Sequence, residues 1–253
     1  MNKKHSAILR KREAEVATRL SPSWNGQARK TVLSSDGISY KVSEKIRAVS
    51  YGGLGLLQQV VKWSGLAKAI YQGVKLFRRH QPYHESDHML SLIYNVATGG
   101  TRYQDIEMRR HSVRFLEAVG AEKIPAPSTA GDFVRRFQAP DVVDLMEAVN
   151  ESRRKVWAQQ PASFFQRAEI DVDGTIAPTS GECKEGMEIS YDGQWGYAPL
   201  IVTLAQTGAV LSAVNRSGNR PSHEGAPEWL DRSIERVRAA AFRTVRLRGD
   251  SRD

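Results

Sequence analysis

From Ala168 to Asp173 the chain alternates strictly, with Ala168, Ile170 and Val172 set against Glu169, Asp171 and Asp173. Side chains along a strand point to opposite faces with a period of two, so this segment reads as a strand with one apolar and one acidic face. The segments downstream of it constrain the fold further. Pro178 to Gly196 is polar and glycine-rich and is expected to be a loop. Tyr197–Ala205 and Ala209–Val214 read as two strands joined at Gln206-Thr207-Gly208, the signature of a hairpin. Trp229, Leu230, Ile234, Val237 and Ala241 recur at helical spacing over 227–241. Arg243–Leu247 forms a last strand, with Val245 and Leu247 expected on its buried side. The order is strand, strand, strand, helix, strand.

That order opens an RNase H-like fold, in which the first and fourth strands lie side by side. Asp173 ends the first strand and Asp250 follows the fourth, so adjacency would bring together two acids that are far apart in sequence. Two carboxylates delivered by neighbouring strand ends suit a pair of Mg²⁺ ions that cut or join phosphodiesters. Taken singly, each aspartate stands beside a glycine, Gly174 or Gly249, and reads equally well as a turn former. The strand order is what favours a shared site.

The region before residue 165 reads as all-helical. Leu56, Val60 and Trp63, then Leu66 and Ile70, imply two short helices broken at Ser64-Gly65. A longer helix is expected from His88 to Ala97, ending at Gly99-Gly100, and two more over 103–111 and 112–119, the second stopped by Gly120. Ser128 is the expected N-cap of a helix carrying Phe133 and Phe137 on one face beside Arg135 and Arg136. A helix over 141–158 precedes a linker at 159–162. The expected organisation is a basic, poorly ordered arm over 1–50 with one helix near 6–20, a helical DNA-binding region over 51–160, and a partial α/β domain of the RNase H-like kind over 165–253.

Charge supports a division of labour. The 253-residue chain has a formal net charge of +9. Residues 1–160 hold 26 Lys and Arg against 15 Asp and Glu, whereas residues 161–253 hold 11 against 13. A basic front half suits a polyanion and an acidic back half suits metal ions. Arg109, Arg110 and Arg114, with Arg135 and Arg136, are the helical candidates for phosphate or groove contact. No apolar run approaches the roughly 18 residues needed to span a bilayer. Lys3, Lys4, Arg10, Lys11 and Arg12 break up any signal peptide, so a cytoplasmic protein without membrane partners is expected.

Other patterns compete for a function. His84-Glu85-Ser86-Asp87-His88 satisfies H-E-x-x-H, which on one helical face would bind zinc with Glu85 as the general base of a metallopeptidase. Pro82 and the charge at Asp87 argue instead for a helix start, with Ser86 or Asp87 as its cap. The single cysteine, Cys183, excludes an internal disulfide framework and reads as a loop or core residue. Arg248-Gly249-Asp250 matches an adhesion tripeptide by chance of spelling. Asn219-Arg220-Pro221-Ser222-His223-Glu224 reads as a DNA backbone contact or, with slightly more support, as a helix cap through Ser222 or Glu224.

Several segments resemble bacterial insertion-sequence transposases of the DDE type. They are Asp171-Val172-Asp173-Gly174-Thr175, the stretch 179–187, Trp195-Gly196-Tyr197, the stretch 215–224 and Leu247-Arg248-Gly249-Asp250, with Pro127–Phe133 upstream. The resemblance runs from about residue 40 to the end. It implies DNA transposition with two Mg²⁺ ions, acting on element terminal repeats and target DNA, by a homo-oligomer assembled on DNA. The family's first aspartate falls on Asp173, with Asp171 as the alternative, and its second on Asp250; both are catalytic metal ligands there. Its third acid is a glutamate on a later helix. Glu224 and Glu235 precede Asp250 and do not fit that order. The expectation is therefore a transposase portion truncated after the second aspartate, inactive alone and poorly soluble or oligomeric. A non-catalytic DNA-binding relic or regulator of transposition is the alternative.

Overall fold

The computed structural model describes residues 51–77, 82–180 and 184–249, together with Arg10, Lys11, Ala14 and Leu33. The arm expected over 1–50 and its helix near 6–20 otherwise lie outside the described residues, as do Cys183 and Asp250. The chain divides into two compact units, Met1–Val149 and Asn150–Asp253.

The first unit is helical: α1 (Leu54–Ser64), α2 (Leu66–Gly73), α3 (Glu85–Ala97), α4 (Asp105–Arg110), α5 (Val113–Val119), α6 (Pro127–Val134) and the part of α7 (Ala139–Trp157) up to Val149. The break between α1 and α2 has a local cause. Gly65 adopts φ 72°, ψ 21°, a left-handed conformation that ends one helix and starts the next at no steric cost to glycine. Leu54 and Val61 of α1 close with residues of α3, α4 and α5 over one core that includes Leu90, Tyr94, Ile106 and Phe115, whereas Leu56, Val60 and Trp63, whose spacing implied the helix, lie on its exposed side.

Three helix starts or ends depart from the expected ones. α3 begins at Glu85, capped by extended His84, so Ser86 and Asp87 lie inside its first turn and are not its cap. The reason is Asp87, whose Oδ2 accepts from His84 N–H at 2.9 Å and thereby moves the helix start upstream. α6 begins at Pro127 after extended Ala126, displacing Ser128 as cap, because a proline at the first helical position loses no hydrogen bond. α6 also ends at Val134, which places Arg135, Arg136 and Phe137 beyond it. Phe133 and Phe137 still meet edge-on at 5.3 Å.

The second unit contains the end of α7, a 3₁₀ turn (Ala162–Gln166), β1 (Arg167–Gly174), β2 (Ala177–Pro178), β3 (Glu188–Ile189), β4 (Trp195–Tyr197), β5 (Leu200–Leu204), β6 (Ala209–Val214), α8 (Ala226–Ala239) and β7 (Thr244–Gly249). The architecture is mixed α/β, with a four-stranded sheet in the order β6-β5-β1-β7. β1 is antiparallel to β5 and parallel to β7. Ala168, Ile170, Val202, Leu204 and Leu211 of this sheet pack with Trp157, Val237 and Phe242.

The stretch 178–196 is more than a loop: β2, β4 and β3 form a small antiparallel sheet. Gly196 is required there, since a Cβ would lie 2.4 Å from the Ala177 carbonyl oxygen. Tyr197 accordingly ends β4 and does not begin β5. Ala241 sits past the end of α8 with φ 71°, so it belongs to the turn into β7 and not to the helix. Leu247, expected to be buried, is 47% exposed. It shares a face with its ladder partner Ile170, but β7 is the end strand of the sheet and α8 packs on β1, β5 and β6.

Candidate active site at the ends of two parallel strands

The β1–β7 ladder runs from Arg167 opposite Thr244 to Val172 opposite Gly249. Asp173 is the residue after Val172 on one strand, and Asp250 is the residue after Gly249 in the sequence. Asp173 is exposed, and its side chain makes no hydrogen bond or ion pair among the described residues, while its backbone pairs with Ile201 in the β1–β5 ladder.

Asp171 differs from it. Arg248 grips Asp171 through two parallel bonds, Nε to Oδ1 at 2.6 Å and Nη2 to Oδ2 at 2.7 Å. These bonds hold the Asp171 carboxyl below the usual carboxylate range and raise the Arg248 guanidinium above its own. Glu169 continues the pattern, with Arg167 at 3.0 Å and Arg248 at 3.7 Å. The acidic face of β1 is therefore neutralised by arginines up to the strand end, where Asp173 stands unpaired.

Gly174 follows Asp173 and lets a loop close over the strand end. A Cβ on it would lie 2.6 Å from Ser222 Oγ and 3.3 Å from Arg216 Nη2. Arg216 organises that loop: its Nε donates to Ala198 O at 2.9 Å, and its Nη1 to Pro221 O at 3.1 Å and Glu224 O at 2.6 Å. The helix cap is Gly225 at φ 73°, neither Ser222 nor Glu224, because the carbonyls of that stretch turn towards Arg216. Arg216 lies in the stretch 215–224 that carries the resemblance, but nothing local marks its role as a clamp, since its partners lie up to 18 residues away. Asn219 and Arg220 are exposed, and Arg220 pairs with Glu224.

The helical arginines fall into two kinds. Arg109 is buried, and its guanidinium donates to Thr98 Oγ1 and Thr98 O, both at 3.0 Å, and lies over the Tyr51 ring. It ties α4 to the end of α3. Arg114, Arg135 and Arg136 are exposed, and Arg110 is half-buried and bonded to Glu107 at 3.0 Å. Arg135 pairs with Asp132 at 2.6 Å, and Arg136 lies over the Phe77 ring.

The H-E-x-x-H residues are also tied to backbone. Glu85 Oε1 accepts from the Leu76 and Phe77 amides at 3.0 Å each, and Asp87 Oδ1 accepts from Leu33 N–H at 2.9 Å. His88 is buried, stacked on Phe133 at 4.5 Å, and burial lowers its pKa to about 4. Among the described residues no group of three or more His, Cys, Asp or Glu is placed to hold a metal ion. As a donor set for a hard divalent cation, Asp173 fits by its chemistry and availability, while Asp171 is already engaged. None of the described helices is long and apolar enough to cross a membrane.

Compared with known proteins, residues 43–252 match the family described as transposase DDE domain group 1. No curated protein and no solved structure matches.

Proposed function

We propose that this chain, which belongs to the transposase DDE domain group 1 family, binds the ends of an insertion sequence and carries the two aspartates of a Mg²⁺-dependent site for strand nicking and transfer. One observation carries the reading. The parallel β1–β7 ladder ends at Val172 opposite Gly249, so Asp173 and Asp250 each follow a residue of the last described pair. Consecutive Cα atoms are about 3.8 Å apart and paired strands about 4.8 Å, distances that allow two carboxylates to share one metal site. The order β6-β5-β1-β7 is also that of the first four strands of an RNase H-like fold.

In this reading Asp173 and Asp250 hold the divalent ions, which would activate water or a 3′-hydroxyl and stabilise the leaving oxygen of the phosphodiester. Arg248 keeps Asp171 out of that ligand set, because a bidentate ion pair must be broken before Asp171 can turn towards a cation. Arg110, Arg114, Arg135 and Arg136 offer charge to the DNA backbone from the helical unit. Arg109 contributes to the shape of that unit.

End binding by the helical unit and metal binding at Asp173 are the two parts of this reading that can be tested separately on the 253-residue chain. The test is an assay of purified chain on terminal-repeat duplex with Mg²⁺, alongside binding at several salt concentrations. Salt-sensitive binding to the terminal repeat is the expected result, and binding indifferent to salt and sequence would overturn it. Nicking that disappears in Asp173→Ala would support the site, and nicking that survives it would overturn Asp173 as a metal ligand. Zinc retained stoichiometrically at His84 and His88 would sink both in favour of a metallopeptidase.

A further inference from the structure

We propose that the loop from Asn215 to Gly225 forms a seat for one DNA phosphate, placed beside the strand end that carries Asp173. The inference rests on the transposition reading and extends it to a contact made by residues outside the metal site. A cavity of about 390 Å³ lies between the end of β6, this loop and the first turn of α8. Asn215, Arg216, Ser217, Arg220, Glu224 and Trp229 line it.

Charge balance points to an anion. Every bond made by the Arg216 guanidinium goes to a backbone carbonyl, those of Ala198, Pro221, Ser222 and Glu224. Its Nη2 is buried and has no partner. No carboxylate pairs with Arg216 among the described residues. Carbonyl dipoles satisfy donors but leave a full positive charge in place, and a partly desolvated cation without a counter-ion is costly. Consistent with that cost, burial first and the neighbouring Arg220 second lower the Arg216 pKa. Arg220, by contrast, has Glu224 as its partner. One acid thus stands among two guanidiniums, and the cavity lacks one negative charge.

Geometry selects which anion would supply it. Arg216 Nη2 and Ser222 Oγ both press on the place where Gly174 lacks a Cβ, so this loop touches the residue that directly follows Asp173. A phosphate in the cavity would be neighbour to a phosphodiester at Asp173, as successive phosphates along one DNA strand are. The fixed Arg216 charge attracts an anion to the cavity, the exposed Arg220 guanidinium fork suits its phosphate oxygens, and Asn215 and Ser217 add neutral donors.

The test uses the full chain and fluorescence anisotropy on terminal duplex DNA over a range of NaCl. Arg216→Gln should weaken binding about 10-fold and reduce the salt slope by about one, as expected for losing one phosphate contact. Because Arg216 also clamps the loop, two further variants keep the proposal falsifiable. Arg220→Gln removes charge without touching the clamp and should weaken binding about threefold. Glu224→Gln frees Arg220 and should tighten binding about threefold, a gain that misfolding cannot produce. Inorganic phosphate should compete with DNA in the unaltered chain and fail to do so in Arg216→Gln. Variants indistinguishable from the unaltered chain in affinity and slope would overturn the seat alone. Phosphate binding that depends on Arg216 while DNA affinity does not would make it a free-phosphate site and overturn the DNA assignment. A chain that binds no DNA at any salt would overturn the transposition reading and the seat together.

Discussion

The two units of this protein use ionisable side chains in opposite ways. In the helical unit Glu85, Asp87, His88 and Arg109 are all buried, and the two acids and the arginine are bonded to main-chain atoms of neighbouring segments. In the sheet unit Glu169, Asp171, Arg246 and Arg248 lie along one accessible face and pair with each other across two strands. Buried charges of the first kind hold a fold together, because removing one leaves its partners without water or bond. Surface pairs of the second kind add little stability but control which carboxylate is left available. Asp173 is the one left at the strand end. A functional reading therefore belongs to the accessible face of the sheet unit, even though the more familiar motif lies at 84–88.

The largest effect separating the two units is expected from Asp87→Ala. It orphans the Leu33 and His84 amides, and the helical unit should lose about 3 kcal/mol in urea denaturation, given about 1.5–3 kcal/mol for each bond to a charged group. A loss under about 1 kcal/mol would mean that the buried acids are not structural ties. Arg109→Met should cost about 2 kcal/mol by the same logic and leave DNA affinity per folded molecule unchanged. Arg114→Gln should do the reverse, with stability held within about 0.5 kcal/mol and DNA affinity reduced. Equal effects of the two substitutions on DNA binding would erase the distinction between buried and exposed arginines.

Acid titration probes the same contrast. His88 has a pKa of about 4 in the folded unit against 6.5 ordinarily, chiefly through burial among Phe77, Tyr83 and Phe133, with Arg136 adding and Glu85 opposing. Between those values the unfolded chain binds a proton that the folded unit does not, so stability falls as pH drops from about 6.5 to about 4 and levels off below. Thermal melts of the unaltered chain and of His88→Gln over that range should converge towards pH 4. The Asp171 carboxyl, held low by Arg248, keeps its contribution above the ordinary carboxylate range and loses it only at lower pH.

The smallest stability effects are expected at the candidate site. Arg248→Gln and Asp173→Ala should leave the melting temperature unresolved from that of the unaltered chain. They should differ in Mn²⁺ binding followed by paramagnetic resonance: Asp173→Ala weakens it, and Arg248→Gln strengthens it by releasing Asp171. Weaker Mn²⁺ binding in Arg248→Gln would show that the pair supports the metal site and does not withhold a ligand from it.

Much of the scaffold was readable from local pattern. The alternation at 168–173, the hairpin at 206–208 and the glycines at 65 and 120 all act within a few residues, and the elements they imply are present. Helix starts were less readable, because a proline at 127 displaced Ser128 as cap and the carboxylate at 87 reached back to the His84 amide and moved its helix start upstream. The small sheet over 177–197 was hidden by its polar composition; the glycines at 196 and 218, each pressed against backbone, were the available signal. At the site, the acid at the end of β1 was legible, but its freedom from partners was not.

Side-chain periodicity along single segments was enough to say which face of β1 carries acids and that β7 would follow a helix. It could not say that Leu247 is exposed while Ile170 beside it is buried, because burial depends on what packs beyond a strand. The same holds for Arg109 turned inward, Asp171 paired with an arginine 77 residues away and Arg216 fastened to the loop at 221–224. Each of these rests on distant groups meeting in space, and no local pattern encodes such a meeting.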